Sequence, residues 1–214
     1  MRLPDTWKNA RLTVAIAAVT AAVWLVLTLF GLNGWAGIGG AFLPARLAFG
    51  GDEGMVPFWL TPLTAAFLHA DFLHLAFNLL MLVFCGRPVE SVLGPVGMAI
   101  LYVVGAYAAA AAQYALDPTA AVPMIGASGA TSAVLGAYAM LFGRNKVKLA
   151  SPRLALWLNA LWLMAAWVIL NAAVAFAVSM SLVGIQLAAG AHVGGFLVGI
   201  LLAYPLLLLR YRGA

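Results

Sequence analysis

Ser128, His192, His74 and Asn78 are the side chains of this sequence whose types and positions suit covalent chemistry. A serine hydroxyl becomes a nucleophile when a neutral imidazole takes its proton, and acyl transfer then needs donors for the developing oxyanion. Histidine and asparagine can both donate. His74 and Asn78 stand four apart, about 40° around one helix, so they can point at the same spot. Ser128 sits in Gly126-Ala127-Ser128-Gly129 at the start of an apolar run. Each residue also has a plainer reading: a serine there commonly caps its helix, and a lone histidine is often structural. The soluble-hydrolase elbow G-x-S-x-G is excluded, because position 130 is alanine.

These residues lie near the starts of the second, fourth and sixth of six apolar segments. Apolar residues make up 65% of the 214-residue chain and charged ones 8%, against roughly 50% and 25% in soluble domains. Lipid must therefore be a solvent for it. Polar groups at membrane depth are costly and usually functional. The length suits one domain. The net charge of +5 comes from short clusters between the apolar segments, so it reads as a topology signal and gives no reason to expect nucleic acid. Cys85 is the only cysteine, which rules out an internal disulfide.

The segments predict helices over Leu12–Leu32, Phe72–Gly86, Leu93–Ala115, Ser128–Phe142, Leu154–Val178 and Ala191–Leu209. The first is too long for a signal h-region and reads as an uncleaved anchor. If the spans alternate, Arg2, Lys8, Arg11, Arg87, Arg144, Lys146, Lys148, Arg153, Arg210 and Arg212 fall on one side. Only Arg46 falls opposite, beside Asp52, Glu53 and Asp71. The positive-inside rule then puts both termini in the cytoplasm and the polar helix starts near the outer face. Residues 33–66 are moderately apolar and punctuated by glycine and proline, which predicts an interfacial or partly re-entrant loop.

Depth brings the candidates together. Ser128 lies about 24 Å above Arg144, and His192 about 27 Å above Arg210, at ~1.5 Å per residue. Asn78 would lie only about 14 Å above Arg87, so its helix must continue past Pro88 towards Glu90, or tilt, for the depths to match. Ala191, Gly195, Gly199 and Ala203 form one small-residue stripe, and Ser128, Ser132 and Gly136 another. Facing each other, such stripes let backbones approach closely and bring Ser128 to His192. His69 is about 140° from His74 on a continuous helix, which argues against an i, i+4 zinc pair. The segment from Asp117-Pro118 to Gly126 cannot be regular helix. No Asp or Glu falls within the predicted spans to partner an imidazole.

The sequence resembles the rhomboid intramembrane serine proteases. Pro123 to Ala130 looks like the family's serine motif, Phe67-Leu68-His69-Ala70 with His74 and Phe77-Asn78 like its H-x4-H-x3-N pattern, and Ala191-His192-Val193-Gly194-Gly195 with Gly199 like its final-helix motif. The resemblance implies an all-α membrane protein: a six-transmembrane-helix rhomboid-like bundle over residues 12–209, with a short fourth helix, an interfacial first loop and cytoplasmic segments 1–11 and 210–214. It implies Ser128 as nucleophile and His192 as general base without a third acidic member. His74, Asn78 and the Ser128 N–H would form the oxyanion hole, with His69, Gly126, Gly129, Gly195 and Gly199 in support. The reaction implied is endoproteolysis of transmembrane protein substrates in the bilayer near the outer face, with a small residue favoured before the cut. No cofactor, metal, nucleic acid or soluble partner is implied.

Two departures stand out. The Trp-Arg pair of the first loop is absent, since Leu60 follows Trp59; an aromatic four residues after the serine is here Ser132, which is expected to pack or to bond the imidazole. The rival readings are a non-catalytic rhomboid-like protein that binds membrane clients and a small transporter. Against the transporter, Gln113, Asn159 and Asn171 are too scattered to draw a polar path. The compact core suits a bacterial plasma membrane.

Overall fold

The structure is a computed structural model that describes residues 9–50, 55–143, 151–179 and 188–212. Arg2, Lys8, Asp52, Glu53, Arg144, Lys146 and Lys148, on which much of the expected sidedness rests, lie outside the described residues. The regular structure among the described residues is helical, with no strand beyond one isolated bridge between Phe42 and Met124. The helices are α1 (Arg11–Leu29), α2 (Asn33–Gly39), α3 (Pro44–Phe49), α4 (Thr61–Ala65), α5 (Phe72–Leu116), α6 (Ser128–Phe142), α7 (Pro152–Ser179) and α8 (Ala189–Arg210). Among them α1, α5, α7 and α8 are long and apolar enough to cross a membrane.

Helix α5 joins what the sequence predicts as two spans. Gly94 (φ 73°, ψ 172°) is non-helical inside it and is followed by Pro95, so the chain kinks there. Only glycine adopts that conformation without strain. A Cβ at Gly94 would also lie 2.6 Å from Arg210 Nη1, at the end of α8. The expected stop at Gly86 does not occur. Pro88 removes one donor, yet the helix continues because its next turns are anchored: Val89, Glu90 and Leu93 are all buried, and Ser91 Oγ donates to the Pro88 carbonyl at 2.7 Å.

The continued helix carries a carboxylate between the two predicted spans, though not one that partners an imidazole. Glu90 is helical and 2% exposed. It accepts from Leu12 N–H (2.9 Å), Thr13 N–H (2.7 Å) and Thr13 Oγ1 (2.6 Å). The start of α1 has no side-chain cap of its own, so a carboxylate from α5 meets its orphan donors.

Helix α6 is the centre of the bundle, buried continuously from Ser128 to Ala137. Close approach is possible because its neighbours lack side-chain bulk. A Cβ on Gly195 would land on the Gly129 carbonyl, one on Gly199 on the Ala133 carbonyl, and one on Gly136 on the Phe196 carbonyl. Helix α7 stands at the edge of the bundle: 17% of its most apolar stretch is buried, against 39% for α8.

The long first loop folds over the start of α6. Phe42 and Met124 exchange backbone hydrogen bonds of 3.1 and 2.8 Å, and Gly126 N–H donates to the Ala65 carbonyl at 2.9 Å. Arg46 is buried, with Nη2 donating to the Val56 carbonyl at 2.8 Å. Trp59 is anchored without a neighbouring arginine, because its carbonyl accepts from Tyr107 Oη at 2.9 Å. Trp35, Ile38, Leu47, Phe49 and Trp59 are exposed, an arrangement that suits a membrane interface.

Candidate active site

Ser128 is the first residue of α6, and the half-in flanking residue is Ala127, which has no side chain to cap with. The capping role that serine often plays here is therefore not taken. Ser128 Oγ instead lies 2.9 Å from His192 Nε2, with both residues buried. The two come from the first turns of α6 and α8, brought together where the small faces of those helices touch. Among the described residues no acceptor meets His192 Nδ1.

Gly126 shapes the approach. Its φ of 115° is in the range that favours glycine, and a Cβ would sit 2.7 Å from both Cε1 and Nε2 of His74 and 3.8 Å from Ser128 Oγ. The His74 ring thus lies one methyl group's breadth from the serine loop. Asp71 starts that helix: its carboxylate accepts from His74 N–H at 2.9 Å, a cap that fixes where His74 emerges.

His69 sits in the turn before α5, so the chain between the two histidines is not one helix and the 140° estimate does not apply. Their rings meet edge to face at 5.0 Å. His69 Nε2 accepts from Ala127 N–H at 3.3 Å, tying the turn to the start of α6. Burial, and then the charge of the neighbouring His74, push the His69 imidazole down to about 3. It is therefore neutral and able to accept.

Asn78 is placed differently from the expectation. It is buried one turn below His74, its Nδ2 donates to the His74 carbonyl at 2.9 Å, and it does not line the cavity described next. Ser132 neither bonds the imidazole nor merely packs. Its hydroxyl donates to the Ser128 carbonyl at 2.6 Å and accepts from Trp167 Nε1 at 2.7 Å. The supporting glycines Gly129, Gly195 and Gly199 lie at the α6–α8 contact, and Gly129 also meets Ala109 of α5.

A cavity of about 460 Å³ opens onto this cluster, lined by His74, Ser128 and His192 together with Asp71, Met124 and Asn171. Sequence reading missed Trp167 and set Asn171 aside. Their four-residue spacing on α7 was the available signal, since it puts both on one face. The all-helical bundle with several membrane-length apolar helices is that of an integral membrane protein, and a buried serine–histidine pair beside such a cavity is an arrangement of the kind acyl transfer uses.

The Rhomboid domain model matches residues 58–209, and the chain belongs to the rhomboid family. It is similar to the rhomboid protease GlpG of Pectobacterium atrosepticum, with 29% identity over 204 residues. That alignment covers 92% of this chain and 63% of the relative, so the chain spans somewhat under two thirds of that protein's length.

Proposed function

We propose that this protein is a rhomboid-type serine endopeptidase that cleaves transmembrane protein substrates within the bilayer by a Ser128–His192 dyad. The observation that carries the reading is the 2.9 Å contact between Ser128 Oγ and His192 Nε2 on the wall of a cavity that His74 also lines. With Nε2 unprotonated, His192 takes the hydroxyl proton as Oγ attacks the scissile carbonyl. The imidazolium then returns that proton to the leaving amine, and an acyl-enzyme forms on Ser128. Water admitted through the cavity, activated by the same imidazole, completes hydrolysis.

The oxyanion is received at the N-terminus of α6, where the Ser128 N–H and the helix dipole favour negative charge. His74 supplies a side-chain donor from across the Gly126 turn. Asn78 is the third and weaker donor, since its amide is engaged by the His74 carbonyl. His69 holds the Ala127 N–H, and the glycines of α6 and α8 keep the two backbones close.

Counting α5 as two crossings at Gly94 and α6 as a short one makes six spans, one catalytic unit over residues 12–209. His74, Ser128 and His192 then share the outer side, and the ends of the chain are cytoplasmic, as in a bacterial plasma membrane. Impermeant thiol labelling from outside should reach Asp52→Cys and not Lys146→Cys in a Cys85→Ala background; the reverse pattern overturns this orientation. The activity itself is tested with purified protein and a model single-span substrate, alongside a fluorophosphonate probe. Cleavage, with the probe attached at Ser128, is the expected outcome. An intact substrate and an unlabelled protein would return the chain to a client-binding role.

A further inference from the structure

The imidazole of a serine–histidine pair has to be held in the orientation that takes the proton. A carboxylate on Nδ1 is one way to do so, but among the described residues nothing accepts from His192 Nδ1. What lies against the ring instead is Trp167 of α7, edge to face at a centroid distance of 6.3 Å and 68°, within the range of a favourable aromatic contact. Trp167 is 2% exposed, unlike its neighbours Leu161, Trp162 and Ile169, which are exposed. With Ala160, it is where α7 enters the core.

The same side chain reaches the nucleophile's helix. Trp167 Nε1–H donates to Ser132 Oγ (2.7 Å), and Ser132 Oγ–H donates to the Ser128 carbonyl (2.6 Å). The indole has one donor and no acceptor, so the direction of this chain is set at its far end. With Oγ accepting from the indole, the hydroxyl proton is committed to Ser128, and successive bonds in one direction strengthen each other. Ser132 Cβ also lies 3.1 Å from where a Cβ on Gly195 would be, one turn below His192. One turn on, Asn171 Nδ2 donates to the Trp167 backbone carbonyl at 2.8 Å.

We infer that Trp167 is a positioning residue for the proposed dyad: its N–H fixes the Ser128 turn through Ser132 while its ring, packed edge to face with the imidazole, holds His192. This rests on the protease reading above. Loss of either hold loosens the Oγ–Nε2 geometry without touching the substrate. Trp167→Phe keeps an aromatic ring and removes the N–H, Ser132→Ala removes the relay, and Trp167→Leu removes both holds.

The experiment measures kcat, KM and the fluorophosphonate labelling rate at Ser128 for purified wild type, the three single variants and the Trp167→Phe/Ser132→Ala double variant. We expect Trp167→Phe and Ser132→Ala each to lower kcat and the labelling rate about tenfold, with KM within about twofold, and Trp167→Leu to lower them by about 100-fold. The double variant should be no slower than the worse single one, because both remove the same link. An unchanged kcat in Trp167→Phe, or losses that multiply in the double variant, overturns the inference while leaving an active wild type and the protease reading intact. A wild type that neither cleaves nor labels sinks the protease reading, and this inference with it.

Discussion

Two of the buried polar clusters among the described residues are built to opposite plans. At one, Glu90 takes three hydrogen bonds from the first turn of α1. At the other, Ser128 and His192 meet at 2.9 Å beside a cavity of about 460 Å³, and His192 Nδ1 has no acceptor among the described residues. Removing a carboxylate from water costs several kcal/mol, which hydrogen bonds offset only when they are well made. The Glu90 cluster meets that condition and joins two helices. The serine–histidine cluster keeps unused hydrogen-bonding capacity next to an open cavity. A satisfied buried polar group holds structure together; an incompletely satisfied one facing a cavity is poised for chemistry.

The contrast is broken most sharply by exchanging activity loss for stability loss. Ser128→Ala and His192→Ala are each expected to lower turnover of a single-span substrate by roughly 1,000-fold or more, with a thermal unfolding midpoint close to that of wild type. Appreciable turnover by purified Ser128→Ala protein sinks the dyad. Gly199→Val comes next. Its side chain would occupy the position of the Ala133 carbonyl, so α6 and α8 must part a turn or two below the dyad. A shift near 1 Å at a reacting centre costs about 100-fold. Turnover should fall by about that factor and stability should fall too, whereas Leu202→Val, elsewhere on α8, should be mild. Full activity in Gly199→Val would mean the two helices do not set the dyad's geometry.

The reverse pattern is expected at the other cluster. Glu90→Ala strands the donors of Leu12 and Thr13 and should cost roughly 3 kcal/mol of stability, while kcat of the folded fraction stays near that of wild type. Glu90→Gln keeps the shape and should cost less. Equal damage to kcat from Glu90→Ala would mean that α1 docking and dyad geometry are one unit.

Much of this layout was legible in local signals. Proline and glycine before Ser128 announced an irregular run, and small residues at every fourth position announced close packing. What escaped was decided across helices. Pro88 looked like a terminator because a breaker is a local sign, whereas the anchors that carry the helix onward, Glu90 to α1 among them, are tertiary. Ser132 had two expected roles, and its actual partners are the carbonyl one turn back and an indole on α7. No spacing within α6 could have named Trp167. The same holds for the Phe42–Met124 bridge, which joins two loops far apart in the chain.

Asn78 gives a smaller effect that sharpens the division between direct and indirect roles. Its Nδ2 is occupied by the His74 carbonyl, so as an oxyanion donor it is partly spent in the resting protein. Asn78→Ala should lower kcat by about tenfold, at the low end for loss of an oxyanion donor, and leave KM little changed. A rise in KM at constant kcat would make it a packing or substrate-contact residue.

The mildest effect is expected at His69, which lies beside the proposed dyad yet behaves like the structural cluster. Its Nε2 accepts from Ala127 N–H, and burial, then the charge of His74, lowers its folded-state value from 6.5 to about 3. The unfolded chain therefore binds a proton at His69 more readily than the folded protein does. The stabilising contribution is complete above pH 6.5 and is lost as the pH falls from there towards 3. Glutamine at this position can still accept from the Ala127 N–H but does not titrate. Between about pH 7 and pH 5, His69→Gln should lose less thermal stability than wild type, with kcat at neutral pH within a few-fold. Identical pH slopes in the two proteins would show that His69 is already free to protonate in the folded state, and its bond to Ala127 would no longer explain how the turn before α5 holds the serine helix.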